Sequence, residues 1–485
     1  MKTTFPRLES RRDAVRPGAA LLLALALAGP AGAQLVSQKY VVTDLGTLGG
    51  TEAAALGINN AGQVVGYSQT PGDAATRAFR TAPNRSIAAT DDLGTLGGPN
   101  SVAYSINSTG QVAGDADTAD AGPFSSIVRR AFRADPGAPM IDLGTLAPNG
   151  GANGFNNSGG RAINDAANVV GFATVPADLC ASSSHAFRTY PGQTINASVS
   201  NLGTLVPYPF LGCRSSIAWG VNSLSLTVGS TATTVTTGYP NHAFRYTPFG
   251  GMIDIGTLGG RDSQAFAVND LAEVVGDSKL APDAVNNPFD SPHAFLSQGI
   301  AGPRDLGTLG GTYSTAVALN MRYPLDSQVV GTSSTTGDAA VHAFLWTGNV
   351  WNGGTMVDLN SLIAANSGWE LKAARAINNK GQVVCDGYRN GSFRAVRLDP
   401  ADVAVGVLIG ALSDPTYQLT DGQVNSLTDK LQSVYNSIQQ GLVKQAVNQL
   451  NAYLNSIDSY AKNGKITTAT AAALTAAGRA ILAIL

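Results

Sequence analysis

Residues 44–66 read DLGTLGGTEAAALGINNAGQVVG, and the chain repeats this pattern almost to residue 400. The segment Asp44-Leu45-Gly46-Thr47-Leu48-Gly49-Gly50 recurs from Asp92 and Asp305, with variants from Asp142, Asn201, Asp254 and Asp358. Successive starts are 48, 50, 59, 53, 51 and 53 residues apart. Each is followed by an apolar residue and an asparagine: Asn59, Asn107, Asn164, Asn222, Asn269, Asn320 and Asn378. A third element, His/Arg-Ala-Phe, begins at Arg77, Arg130, His185, His242, His293 and His342 and ends the series as Arg394-Ala395-Val396.

Each element has a local physical reading. In Ile58-Asn59-Asn60-Ala61-Gly62-Gln63-Val64-Val65-Gly66 the asparagine opens a type I turn by bonding its own backbone, and Gly62 takes the positive φ that follows. Gln63-Val64-Val65 is then a β-branched strand. Ala243-Phe244-Arg245-Tyr246 is another; Pro248 to Gly251 turns the chain, Met252-Ile253-Asp254-Ile255 returns it, and Gly259-Gly260 breaks it again. The unit therefore offers four short strands and no helix. Four strands per fifty residues predict a propeller blade, which buries its two faces only by packing on neighbours. Six units complete themselves between Thr51 and Leu359. The seventh lacks a fourth strand, while the chain starts with an unclaimed one, Tyr40 to Leu45. The expected fold is mainly β: a seven-bladed β-propeller over residues 34–398, closed by that N-terminal strand, which also removes exposed edges. A β-solenoid is the alternative.

The flanking segments differ in composition. Arg7, Arg11, Arg12 and Arg16, the apolar run Ala19–Gly29 and Ala31-Gly32-Ala33 before Gln34 read as a cleavable signal over residues 1–33, hence a secreted or cell-surface destination. The twin-arginine reading of Arg11-Arg12 is weakened by Asp13-Ala14-Val15. After Asp399-Pro400 glycine thins out. Thr420 and Gln423 form a capping box; Val424, Leu427, Leu431, Val434 and Ile438, then Val447, Leu450, Leu454, Ile457 and Tyr460, recur at helical spacing, with stops at Gly441 and Gly464. Residues 399–485 are expected to form a small bundle of three or four helices. These helices could mediate docking or self-association.

The His-Ala-Phe and Asp-Leu-Gly-Thr-Leu-Gly-Gly motifs, as in His342-Ala343-Phe344-Leu345-Trp346, resemble the HAF-type extracellular repeat proteins of bacteria over residues 40–398. The resemblance implies a secreted or surface repeat protein and brings no known reaction or catalytic residues. Departures are arginine for histidine in repeats one, two and seven, and the loss of Gly-Gly after repeats three, four and seven. The C-terminal segment is similar in pattern to small helical modules of bacterial secreted proteins.

Charged residues make up 13% of the chain and the net charge is −2, so no basic field attracts nucleic acid or an anionic membrane, and no later stretch is apolar enough to span one. All four histidines, His185, His242, His293 and His342, occupy one repeat position, which reads as a blade-stabilising hydrogen bond to the repeated Asp/Asn rather than a metal ring. Asp115, Asp117 and Asp120 are weak calcium candidates on a variable loop. Cys180 and Cys213 are a possible disulfide in an exported chain, and Cys385 reads as a buried, inert thiol where other repeats have glycine. Catalytic and cofactor signatures are missing. The variable loops Gln69–Arg77, Asp115–Arg130, Phe172–His185 and Asp277–His293, with the aromatics Phe124, Phe172, Tyr239 and Phe289, are expected to crowd one face. The functional expectation is a non-catalytic binding module for a glycan, matrix or protein ligand on that face. A propeller hydrolase or lyase with an acidic site there, and a structural surface-layer component, are the alternatives.

Overall fold

The computed structural model describes residues 39–121, 127–147, 156–175, 183–196, 198–205, 215–233, 240–281, 291–299, 302–321 and 326–485. The signal segment, Cys180, Cys213, Phe124, Tyr239 and Phe289 lie outside the described residues.

Blade 4 illustrates the repeat. Its strands Ser216–Val221, Thr227–Ala232, Asn241–Thr247 and Gly251–Gly256 form one antiparallel sheet in chain order. Seven such sheets are described, and the first strand of each packs against the first strands of both neighbours, which places it innermost. The phenylalanines Phe79, Phe132, Phe187, Phe244, Phe295 and Phe344 are wholly buried between sheets. Each contributes roughly 1.5–3 kcal/mol by leaving water.

The ring closes as the sequence reading expects. Blade 7 consists of Trp369–Ile377, Val383–Arg389 and Ser392–Pro400, and Tyr40–Asp44 adds its fourth strand with Tyr40 opposite Pro400 and Asp44 opposite Val396. One departure from four strands per unit lies in blade 1, whose outer strand shrinks to a single bridge, Phe79 to Asp92. In the preceding loop Ile87 N–H donates to the Leu45 carbonyl at 2.7 Å, as Ile195 does to Leu143 at 2.8 Å in blade 3.

Two side-chain columns stitch neighbouring blades, and a third ties the outer two strands within a blade. The asparagine Oδ1 accepts from its own turn, as Asn59 does from Ala61 and Gln63 N–H, while Nδ2 donates to the carbonyl of the next blade's asparagine. That second bond runs Asn59 to Asn107, Asn164, Asn222, Asn269, Asn320 and Asn378, and from Asn378 back to Asn59, at 2.9–3.3 Å. Ser101, Ser158, Ser216, Ser263 and Ser314 each accept from the alanine N–H of the preceding blade's third strand at 2.8–2.9 Å. The repeated Asp/Asn holds a turn through one oxygen, as Asp254 does with Gly256 N–H at 2.7 Å. Its oxygens also reach the histidines: His185–Asn201 3.0, His242–Asp254 2.8, His293–Asp305 2.9 and His342–Asp358 2.7 Å.

The glycine of Val-Val-Gly is required by close approach. A Cβ on Gly66, Gly171, Gly229 or Gly331 would stand 1.9 Å from a carbonyl oxygen of the innermost strand. Blade 7 has Cys385 there; its innermost strand carries an additional register shift between Leu371 and Ala373, and Val396 replaces the phenylalanine beside it. Cys385 is fully buried, which raises its thiol pKa well above the usual value.

The last strand runs through Asp399 and Pro400, and helix α1 (Ala401–Ala411) follows directly. Then come α2 (Asp421–Gln439), α3 (Val443–Lys462) and α4 (Thr468–Leu482). The capping box is formed, with Gln423 N–H on Thr420 Oγ1 and Thr420 N–H on Gln423 Oε1. Gly441 and Gly464 end α2 and α3 with positive φ in paired carbonyl contacts. Leu427, Leu431, Val434, Leu450, Tyr453, Ile457, Leu474 and Ile481 form the bundle core, against which Val41 of the closing strand also packs. Arg85 of blade 1 pairs with Asp414 beneath a cleft of about 770 Å³ between the bundle and that blade. No helix among the described residues is long and apolar enough to cross a membrane.

Candidate functional site

Every innermost strand contains a β-bulge at the same place. The register against the second strand skips one residue: Leu56, Tyr104, Arg161, Trp219, Phe266, Val317 and Arg375 in blades 1 to 7. A bulge frees one residue from the ladder and re-aims it. While the asparagine, aspartate and phenylalanine columns hold almost one residue type, this column differs in nearly every blade. Four of its members touch one another from blade to blade. The Arg161 guanidinium carbon lies 4.2 Å from the Tyr104 ring centre and 5.7 Å from that of Trp219, and Trp219 meets Phe266 edge-on at 5.9 Å. Tyr104, Arg161, Trp219 and Phe266 thus form a continuous arc over blades 2 to 5.

A second unequal column follows the Val-Val-Gly segment: Tyr67, Asp115, Phe172, Ser230, Asp277, Thr332 and Asp386. Its carboxylates sit next to the bulge residues. Asp115 accepts from Arg161 at 2.8 Å and lies 3.2 Å from Arg129, and Asp386 accepts from Arg375 at 2.5 Å. Asp277 has no arginine: it accepts from Thr315 at 2.9 Å, and Tyr313 Oη lies 2.9 Å from the same Thr315 oxygen. Burial pushes the Asp277 carboxyl up to about 6, with the Thr315 bond opposing it. Burial likewise raises the Tyr104 phenol. Among the described residues, Arg161 Nε, Trp219 Nε1 and Asp386 Oδ1 are buried without a hydrogen-bond partner.

The candidate residues fall out as follows. Asp115 and Asp117 are not on a loop but in the strand Val112–Ala121, which pairs with Ile127–Ala134; the stretch expected to be a variable loop is mostly strand. As residues i and i+2 they share one face. They are buried against Arg129, whose Nε is 3.0 Å from Asp117. Their charges are spent on arginine, and Asp120 is exposed away from them. No group of three or more potential ligands among the described residues could hold a metal ion. Phe172, expected on a loop, also lies in a strand, with Arg161 5.1 Å above its ring. The histidines are brought to the Asp/Asn column and away from the arc. Sequence reasoning missed the bulge column. The signal was present, because these residues stand two places before the apolar residue of each Ile-Asn step.

The fold defines a seven-bladed β-propeller joined to a helical bundle. Residues 416–483, spanning α2 to α4, match the FIMAH domain family. No curated protein matches the chain.

Proposed function

We propose that this chain is an exported, non-catalytic interaction module that takes a neutral glycan segment into the central channel, against the arc Tyr104–Arg161–Trp219–Phe266. The observation that carries the reading is the contrast between columns. Stitching residues repeat, whereas the bulge residues vary, as a single asymmetric ligand demands. Aromatic rings beside Arg–Asp pairs suit sugar rings with their hydroxyls, and the pairing leaves little net charge to attract an ion. The FIMAH match and the HAF-like motifs support a surface setting.

A glycan array probed with the purified protein tests this. Binding to uncharged oligosaccharides that disappears in Trp219→Ala is the expected result; binding to no glycan, or binding untouched by Trp219→Ala, contradicts it. Asp277 favours a second reading, a hydrolase with a protonated carboxyl as general acid. Against it, the other carboxylates of this column, Asp115 and Asp386, are held in ion pairs by arginines. Reducing-end release from an array-positive glycan, abolished in Asp277→Asn, would establish it.

A further inference from the structure

We infer that the channel is blind and is entered from the loop side alone, so that it holds the end of a glycan chain and not an internal stretch. The inference rests on the channel reading above and adds which part of the polymer is held.

The axis can be followed along the seven innermost strands. On each, the bulge residue is followed two places later by an apolar residue and then by the stitching asparagine. The triplets are Leu56, Ile58 and Asn59 in blade 1, and Trp219, Val221 and Asn222 in blade 4. At the asparagine end the axis opens as a cup of about 240 Å³. Its walls are the seven apolar residues, the seven asparagines and the residues that follow them, and no bulge residue borders it. The cup therefore stops at the apolar ring, short of the arc. It is smaller than the roughly 300–1,000 Å³ of pockets that enclose a ligand. On the far side of that ring the arc packs side chain on side chain, and both Arg161 Nε and Trp219 Nε1 are buried within it.

The chemistry of the two ends differs in the same sense. Ile58, Ile106, Ile163 and Ile377 offer no hydrogen bond, so a sugar hydroxyl pressed against them would lose its water without replacement. The asparagines beside them have nothing to give. Asn222 Oδ1 accepts from Leu224 and Leu226 N–H, and its Nδ2 donates to the Asn269 carbonyl. Groups suited to hydroxyls lie on the loop side of the arc. Val102, Gln264 and Ala373, each two places before a bulge residue, stand opposite Asp115, Asp277 and Asp386 of the second strand. There Asp386 holds the exposed Arg375 through Oδ2 and keeps Oδ1 without a partner, and Asp277, Thr315 and Tyr313 form a hydrogen-bonded chain. The terminal residue of a glycan carries one hydroxyl more than an internal residue, and a blind site can surround it. The last strand, in contrast, leaves the propeller at the closed end, where Gln382 beside Asn378 donates to Asp399, and the bundle follows from there.

The test counts bound protein per chain. Hexamers and long fractions of four uncharged linear glycans, an α-1,4-glucan, a β-1,3-glucan, a β-1,4-xylan and a β-2,1-fructan, are titrated into the intact protein by calorimetry. At least one series is expected to bind, at least tenfold more weakly in Trp219→Ala. Its hexamer and its long fraction should then show the same protein-to-chain ratio and half-saturate at the same concentration of chains. A ratio that rises with chain length, with binding still weakened by Trp219→Ala, overturns the inference and leaves the channel reading standing. Binding to none of the four, or binding untouched by Trp219→Ala, fails the channel reading and takes the inference with it. The ratio is read on the wild-type chain, so it does not depend on how well the variant folds.

Discussion

Asn378 donates its side-chain N–H to the backbone carbonyl of Asn59 at 2.9 Å, joining residues 319 apart in sequence and completing a ring of seven like bonds. A second series lies just outside it and shows the dependence on chemistry. Asn60, Asp165, Asp270 and Asn379 each accept from the backbone N–H of the residue at the same position in the preceding blade. The same position holds Ser108, Ser223 and Met321 in the other blades, too short or without an acceptor.

Replacing Asn378 by Asp keeps the oxygen that holds its own turn and removes the donor to Asn59, turning attraction into repulsion between an acceptor and a carbonyl. Loss of a buried hydrogen bond that leaves its partner unsatisfied costs about 1–3 kcal/mol. Asn378→Asp is expected to lower stability by that amount or more in a urea titration. Asn60→Ser, at an exposed position, should cost less than 1 kcal/mol.

The Cys385–Val396 pair replaces the Gly–Phe pair of the other blades. A Cβ on Gly331 would also meet the Phe344 ring at 2.9 Å. Gly331→Ala is therefore expected to destabilise by several kcal/mol, roughly 3 or more, as overpacking against backbone does. Val396→Phe alone should be poorly tolerated. The double variant Cys385→Gly/Val396→Phe should recover part of the loss, read as the coupling in a double-mutant cycle.

Neighbouring histidines at the same repeat position should titrate in opposite directions. The hydrogen bond that His242 donates to Asp254, outweighing burial, raises the His242 pKa above its usual 6.5, whereas burial, outweighing the bond to Asn201, lowers that of His185. His242 then contributes stability that is full below pH 6.5 and is lost as pH rises through its folded value. His185 does the reverse: its contribution is present above 6.5 and is lost as pH falls through its folded value. Asp254, held below 3.8 because His242 and Gly256 N–H outweigh its burial, loses its contribution as pH falls through its own folded value. Imidazole chemical shifts followed by NMR should resolve the two histidines, and Asp254→Asn should move His242 toward His185.

At the seam between propeller and helices, Arg397 and Asp399 form a buried pair at 2.9 Å, with Gln382 donating to Asp399 at 2.6 Å. Breaking a buried pair from one side leaves a charge uncompensated and costs about 3–5 kcal/mol. Asp399→Asn should show that loss in thermal unfolding, and Arg397→Met/Asp399→Leu should recover much of it.

The fold was legible because the propeller repeats its punctuation. Asn59 and Gly62 mark one turn, Asp44 and Gly46 another, and counting strands left Tyr40 to Asp44 as the only candidate for closure. The helices were readable from Thr420, Gln423, Gly441 and Gly464. The site was less legible. Asp115 and Asp117 looked like loop acids because nothing local reveals that Arg129 and Arg161 arrive from another strand and another blade. The bulge at Trp219 is a feature of register between strands; in the sequence it shows only as a variable position two places before the apolar residue of each Ile-Asn step. Aromatics were sought on the long loops, whereas Phe249 and Trp351 lie on two short turns of the opposite face.

Titration calorimetry of wild-type protein, Trp219→Ala and Trp351→Ala with the best uncharged oligosaccharide from the array addresses the channel most directly. Affinity should fall at least tenfold in Trp219→Ala and stay unchanged in Trp351→Ala. Equal affinity in wild type and Trp219→Ala would show that the arc around the axis does not hold the ligand.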